Sequence, residues 1–231
     1  MEIATKFYET KEDLRELDNK SLHQLIKELI KKQGVNSLVE VGCGNGVMLS
    51  QYGNIDAVGV DVNKSMVEFA HLYDKNNSVY LEDITNSTSF FYQSKKGSVD
   101  VVCANYVFTE FTQKQLKKGF DNIYSLLNDT GKFCFTITNP EIRKDILNNK
   151  VSLGYVIEPV EEFDYKKEDL EFKVLLDDGL GGHKDVGIID YHNPTKVYIS
   201  LLEESKFKNI KIYELNNGTD LPHALLFEVG K

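Results

Sequence analysis

The stretch LVEVGCGNGVML, Leu38 to Leu49, decides the fold. An apolar run ends at Val41, and Gly42, Gly44 and Gly46 then fall within five residues. Glycine weakens strand and helix interiors alike, so this density calls for a strained turn or a backbone that something approaches closely. At the end of an apolar strand such a turn exposes its amides, and a ligand can rest where no Cβ stands. The plain alternative is a tight strand-to-helix connection with no ligand.

On either side of this stretch the apolar pattern alternates between helical and extended periods. In SLHQLIKELIKKQG, Leu22, Leu25, Ile26, Leu29 and Ile30 recur at helical spacing, with Ser21 and Gln24 as a capping box and Gly34 as the stop. SLVEVG reads as a buried strand, followed by the glycine turn and a helix from about Gly46 to Gln51. DAVGVD is a second strand, NKSMVEFAHLYDK a helix capped by Asn63 or Ser65, and SVYLED a third strand. After a passage rich in Ser, Thr and Asn, SVDVVCANYVF gives a fourth. TQKQLKKGFDNIYSLLNDTG predicts a helix opened by Thr112 and Gln115 and closed by Gly131, and GKFCFTITN a fifth strand. Strands alternating with helices predict a parallel sheet covered on both faces.

The last third reads differently. Between Pro140 and His192 lie two candidate strands, YVIEPV and DLEFKVLLDD, then the glycine-rich DGLGGHKDVG and IIDYH. NPTKVYISLLEESKF predicts a helix with Asn193 as cap and Pro194 at its first position. NIKIYELNNGTDLPHALLFEVGK predicts two strands joined as an antiparallel hairpin at the sheet edge. With no repeat and no long linker, residues 1–231 read as one domain in which 141–192 is an insertion folded onto the main sheet.

Composition narrows the function classes. Asp and Glu outnumber Lys and Arg by 36 to 27, a formal charge of -9, which argues against a nucleic-acid partner. Cys43, Cys103 and Cys134 are far apart and sit in or beside apolar stretches, so they are expected as reduced, buried thiols in a reducing cytoplasm. No apolar segment is long enough to span a membrane, and the first residues lack the apolar run of a signal peptide. His23, His71, His183, His192 and His223 do not fall at metal-ligand spacing, so no metal is expected.

In an open parallel sheet, ligands lie beyond the carboxyl ends of the strands, where strand order reverses. The dinucleotide fingerprint is G-x-G-x-x-G. Here the run is one residue shorter, and Glu40 precedes it. VEVGCGNG resembles the acid-x-Gly-x-Gly-x-Gly motif of class I S-adenosylmethionine-dependent methyltransferases. The resemblance continues at the next strand ends: Asp61 after AVGV, Asp83 with Ile84 after VYLE, VDVVCANYVFTEF, and LLNDTGKFCFTI with Thr130 in place of a glycine. It covers residues 21–139 and extends plausibly to the closing hairpin.

The resemblance implies a Rossmann-like, seven-stranded, mostly parallel α/β sheet with helices on both faces, an antiparallel C-terminal hairpin and a lid insertion at 141–192 shaping the acceptor site. It implies S-adenosylmethionine as cofactor, left as S-adenosylhomocysteine. The glycine run, Gly42, Cys43, Gly44, Asn45 and Gly46, would support its methionine part, with Glu40 holding the ammonium or ordering the loop. Asp61 would accept the ribose hydroxyls, with Val62 and Met66 beside it. Asp83 would take the adenine amino group and Ile84 pack its ring, while Asn105 and Phe108 end the strand beside the transferable methyl.

Adenine, cytosine and glutamine amino-methyltransferases carry Asn/Asp-Pro-Pro-Tyr/Phe at that strand end, whereas here Tyr106 and Val107 replace both prolines. That departure weakens a base-methylating reading, and the insertion, placed as in similar small-molecule methyltransferases, implies a small-molecule acceptor, methylated on N or O. Tyr191 and His192 are the candidate catalytic residues, His192 as a base, although a structural role beside the helix cap is open to it. Tyr8, Tyr106 and His183, with Tyr191 and His192, are the candidate acceptor contacts. A methyltransferase acting on protein or tRNA, or a non-catalytic or NAD-binding Rossmann-like protein, remains as an alternative. The assembly is expected to be a monomer or homodimer.

Overall fold

The computed structural model describes residues 20–73, 78–148, 156–177, 182–216 and 221–231. Its main sheet has seven strands in the order β3-β2-β1-β4-β5-β10-β9. These are β1 (Ser37–Val41), β2 (Asp56–Asp61), β3 (Ser78–Leu81), β4 (Val99–Asn105), β5 (Leu127–Thr138), β9 (Lys208–Leu215) and β10 (Ala224–Gly230). The first five run parallel, and β10 inserts antiparallel between β5 and β9. Strand order reverses between β1 and β4, which puts the glycine run at the switch point.

Both faces of β1 and β4 are buried, as their unbroken apolar runs require. On one face, residues 20–33 (α1) and α2 (Lys64–Tyr73) pack Leu22, Ile26, Leu29, Val67 and Ala70 against the sheet. On the other, α3 (Phe90–Lys95), α4 (Gln113–Leu126) and α6 (Thr195–Glu204) cover it with Phe91, Phe120, Ile123, Tyr198 and Leu202. The capping box of Thr112 and Gln115 opens α4 as its sequence predicts. Gly34 closes α1 at φ +66, its amide reaching the Ile30 carbonyl.

Several local expectations are corrected. Ser21 does not cap α1, because Lys20 is already helical. No α-helix follows the glycine turn. Leu49–Tyr52 forms a short 3-10 turn, whose three-residue spacing buries Leu49 and Tyr52 together. The Ser/Thr/Asn-rich passage contains α3, capped by Ser89 Oγ accepting from the Tyr92 amide. The fourth helix ends at Leu126, before Gly131, and β5 begins at once. Gly131 instead allows the bulge in β5 to fold back, since a Cβ there would stand 2.8 Å from Leu127 Cβ. Asn193 does not cap α6: its Oδ1 accepts from the Asp169 amide, and Pro194 takes the cap position.

The insertion forms a second, three-stranded antiparallel sheet, β6 (Val156–Pro159), β7 (Leu170–Asp177) and β8 (His183–His192), in the order β6-β7-β8. It therefore does not extend the main sheet. Leu170, Phe172, Val174 and Leu176 alternate inward along β7 against Ile142 and Ile146, near and on α5 (Arg143–Leu147), giving it a small core of its own. A clasp joins this sheet to the main one: Asp169 Oδ1 accepts from the Gln113 amide at 2.7 Å, at the first turn of α4.

The tightest packing under the glycine run is at Gly59 in β2. A Cβ there would lie 2.5 Å from Cys43 Sγ and 2.6 Å from Leu49 Cδ1. Gly59→Ala is expected to lower stability by ~1–3 kcal/mol by overpacking, measured as a shift in the urea midpoint with an unchanged slope.

Candidate active site

β1 ends at Val41 and the chain bends immediately onto its neighbour. The amides of Gly42 and Cys43 both donate to the Val60 carbonyl of β2, at 2.8 and 3.2 Å. Gly42, Gly44 and Gly46 all take positive φ, +66, +55 and +74, a region that side chains disfavour. The two glycines that come first do different work. A Cβ on Gly42 would meet Val107 Cγ2 at 2.3 Å, so Gly42 lets the end of β4 pack against the turn. A Cβ on Gly44 would meet nothing within 4 Å, so Gly44 keeps an open face clear.

Asp61 holds the turn in place. Its Oδ2 accepts from the Gly44 amide at 2.8 Å and its Oδ1 from the Asn63 amide at 2.7 Å. A carboxylate offers about four lone-pair sites, so both oxygens retain acceptor capacity for a ligand. Glu40 lies beneath the same turn, 5% exposed, and its Oε2 has no hydrogen-bond partner. Burial, and then the charge of Asp61, push its carboxyl up to about 8. Burial, with Glu40 and Asp61, likewise drives the Cys43 thiol far above its ordinary range, so it stays protonated.

The neighbouring strand ends complete the rim. Asp83 is exposed, and its Oδ1 accepts from the amide and hydroxyl of Thr85, both at 2.8 Å, in an Asx turn. Ile84 is buried, and its carbonyl accepts from Asn122 Nδ2. A small hollow under this turn, with room for little more than a water molecule, is bounded by Val60, Asp83, Ile84, Phe91 and Tyr92. Val62 is exposed beside the rim and Met66 is buried behind it. Asn45 is half-buried, and its Oδ1 accepts from the Val47 amide.

At the end of β4, Thr136 donates its hydroxyl to Asn105 Oδ1, which fixes that side chain. Tyr106 is buried at φ +58 with its amide on the Thr136 carbonyl. An aromatic residue held there is strained, which is common at functional sites and seldom elsewhere. Phe108 is not on the rim: it is fully buried among Phe111, Phe120, Phe133 and Phe135. That corrects its placement beside the cofactor, because a completely apolar side chain is better accommodated by the core under α4.

The insertion residues scatter. His192 is completely buried, with Nε2 at 2.9 Å from the Tyr165 carbonyl and its ring against Phe163 and Tyr165. A ring nitrogen facing a carbonyl carries the proton, and burial lowers the pKa, so this imidazole is neutral. Its expected role as a base is corrected to an interior contact. His183 is exposed at the opposite end of β8, on the order of 30 Å away along a ten-residue strand, so the two cannot share one acceptor. Tyr191 is half-buried and, by strand alternation, on the other face from His192. Tyr8 lies outside the described residues. Among the described residues no group of three His, Cys, Asp or Glu side chains is placed to hold a metal.

Three contributors went unread in the sequence. Gly59 carried a usable signal, an isolated glycine inside a strand. Val107 and the buried pair Arg143–Asp190, 3.7 Å apart under the Phe172 ring, carried none, because their partners are distant in the chain.

Residues 38–131 match the family model of a methyltransferase domain. No curated protein matches the chain by sequence. In fold it is similar to an S-adenosylmethionine-dependent methyltransferase from Clostridium acetobutylicum, with TM-score 0.71, 16% identity and 98% of each chain covered. It is also similar to a protein from Pyrococcus horikoshii, with TM-score 0.65, 16% identity, and 97% of this chain and 98% of that one covered. The sugar N-methyltransferase KedS8 from a Streptoalloteichus species is similar with TM-score 0.61, 16% identity, and 93% and 87% covered. The segment from 38 to 131 thus matches a methyltransferase domain, and the likeness to these structures is one of fold.

The residues present fit the S-adenosylmethionine that the glycine motif implies: Gly44 leaves open space where a Cβ would stand, and buried Glu40 has a carboxyl oxygen without a partner. Gly44→Val is expected to abolish binding of S-adenosylhomocysteine in calorimetry while costing ~1–2 kcal/mol in stability from the positive φ. The raised Glu40 carboxyl sets a second expectation. The folded state keeps this proton longer than the unfolded chain, so stability falls as pH rises from about 4.5 through about 8. The ligand-free melting temperature should drop across that window, and Glu40→Gln should flatten the drop.

Proposed function

We propose that the chain is an S-adenosylmethionine-dependent methyltransferase that methylates an N or O atom of a small molecule held between the end of β4 and the insertion at 141–192. The observation that carries the small-molecule reading is the placement of the insertion sheet. Asp169, entering β7, is bonded to Gln113 at the head of α4 and to Asn193 at the exit of β8. This brings the sheet against the segment that follows Tyr106 and leaves little room for a broad macromolecular surface there. The similarity to a sugar N-methyltransferase agrees with such an acceptor, and the net charge of -9 gives a phosphate backbone little to bind.

The bound cofactor supplies an electrophilic methyl whose leaving group is a neutral thioether. The protein's part is therefore positioning, the source of most of the rate in such displacements. Asp61 orients the Gly44 amide and would accept the ribose hydroxyls, Asp83 would take the adenine edge, and Asn105, fixed by Thr136, would hold the rim on the side of the methyl. Tyr106 and the half-buried Tyr191 are the side chains assigned to the acceptor. Neither needs to be a strong base where the acceptor arrives as a free amine.

Asp61→Ala removes charge-assisted bonds to both the turn and the ribose, and should weaken S-adenosylhomocysteine binding by ~1.5–3 kcal/mol. NAD binding without a response to S-adenosylhomocysteine would replace this reading with a dinucleotide one. The acceptor class is tested by incubating the protein and S-adenosylmethionine with a cell extract split by dialysis. S-adenosylhomocysteine should form with the small-molecule fraction, and formation only with the retained protein and RNA would overturn the assignment.

A further inference from the structure

The cofactor reading leaves one buried group unexplained. Glu40 sits mid-sheet in β1, in register with Gly59 of β2 and Cys103 of β4. Carboxylates are almost never buried without a partner. Glu40 Oε2 has none.

The groups that face Glu40 explain why it has stayed unpaired. From β2 comes Asp61, whose two oxygens already accept backbone amides. From the turn comes the Cys43 thiol, from the 3-10 segment the Tyr52 hydroxyl, and from β4 the Cys103 thiol. Tyr52 is in turn bonded to His23 Nδ1 of α1 at 2.7 Å. Burial holds His23 below its ordinary pKa, and Lys27 pushes it further down, so it brings no counter-charge. Among the described residues, no cation lies within hydrogen-bonding or ion-pairing reach of Glu40. Two carboxyl groups thus share one dry site, and only one of them can ionise easily. Asp61 accepts two backbone amides, whereas buried Glu40 has no partner at Oε2 and is the one that keeps a proton.

We propose that cofactor binding at this site is an exchange of a cation for a proton. Placement of the ligand's ammonium group over the glycine turn converts Glu40 from carboxylic acid to carboxylate, and the proton leaves to solvent. This rests on the S-adenosylmethionine reading and adds to it a direction: the site is closed to the cofactor by acid and opened by base. No bond other than the Glu40 O–H is broken, and the ligand's ammonium takes the proton's place as the partner of Glu40.

The test is calorimetric titration of the whole chain with S-adenosylhomocysteine at pH 7 in two buffers of different ionisation enthalpy. Its ammonium is protonated at that pH, so the ligand supplies no proton of its own. The expected result is release of close to one proton per ligand at pH 7, falling to about half at pH 8. The dissociation constant should weaken roughly tenfold for each pH unit below 7. Glu40→Gln, close in shape, should abolish the proton release and flatten the pH profile, with its melting curve confirming that it is folded. Binding without proton exchange overturns the proposal and leaves the cofactor assignment standing. So does unchanged release in Glu40→Gln, which would place the proton elsewhere. Absence of binding at every pH overturns the cofactor assignment itself, and the exchange with it.

Discussion

The bond from the Gly44 amide to Asp61 is the constraint on which the site depends. It ties the tip of the turn after β1 to the end of β2, 17 residues on. The turn built around that amide takes positive φ at Gly42, Gly44 and Gly46. It must also lie flat on β2, which is possible because Gly59 has no Cβ to meet Cys43. The side chain of Val107 then fills the space that Gly42 leaves, so the end of β4 is located by the same turn. One hydrogen bond and three missing Cβ atoms thus hold three strand ends in register. This is why the arrangement tolerates a strained Tyr106 next to it: the surroundings over-determine its backbone.

The second sheet is positioned by polar contacts where the first relies on apolar ones. Asp169 and Asn193 bond to each other, and Asp169 also to the head of α4. Inside, Arg143 packs its guanidinium over Phe172 beside Asp190, with Nε and Nη1 lacking hydrogen bonds. Burying such a pair costs more in desolvation than it returns unless geometry is good, and here the separation is long. Its contribution is therefore orientation of α5 on the sheet more than stability.

Much of the main sheet was legible because its signals are local. Apolar runs marked β1 to β5, Thr112 and Gln115 announced α4, and the glycine density marked the turn. Errors arose where a residue answers to a distant partner. Asn193 looks like a helix cap beside Pro194, but its side chain is claimed by Asp169. Gly131 looks like a helix stop, but it serves a bulge against Leu127. His192 had the features of a base in sequence. Only the rings of Phe163 and Tyr165, nearly thirty residues away, reveal it as interior. For the site, the glycine run, Glu40, Asp61 and Asp83 could be read from order alone, while Gly59 and Val107 required the packing.

The acids beneath the turn also bear on which nucleoside it suits. A turn that cradles a diphosphate needs its amides free and positive potential behind them. Here the Gly44 amide is already spent on Asp61, and Glu40 adds a second carboxyl beneath it. A diphosphate would bring negative charges over this pair in a buried setting, where repulsion is poorly screened. An ammonium group brings the opposite sign and gives Glu40 the counter-charge that its buried setting lacks. The choice between the two ligands is therefore made by sign of charge before shape is considered, and Gly44, one residue nearer Gly46 than in the dinucleotide spacing, is where that choice is enforced.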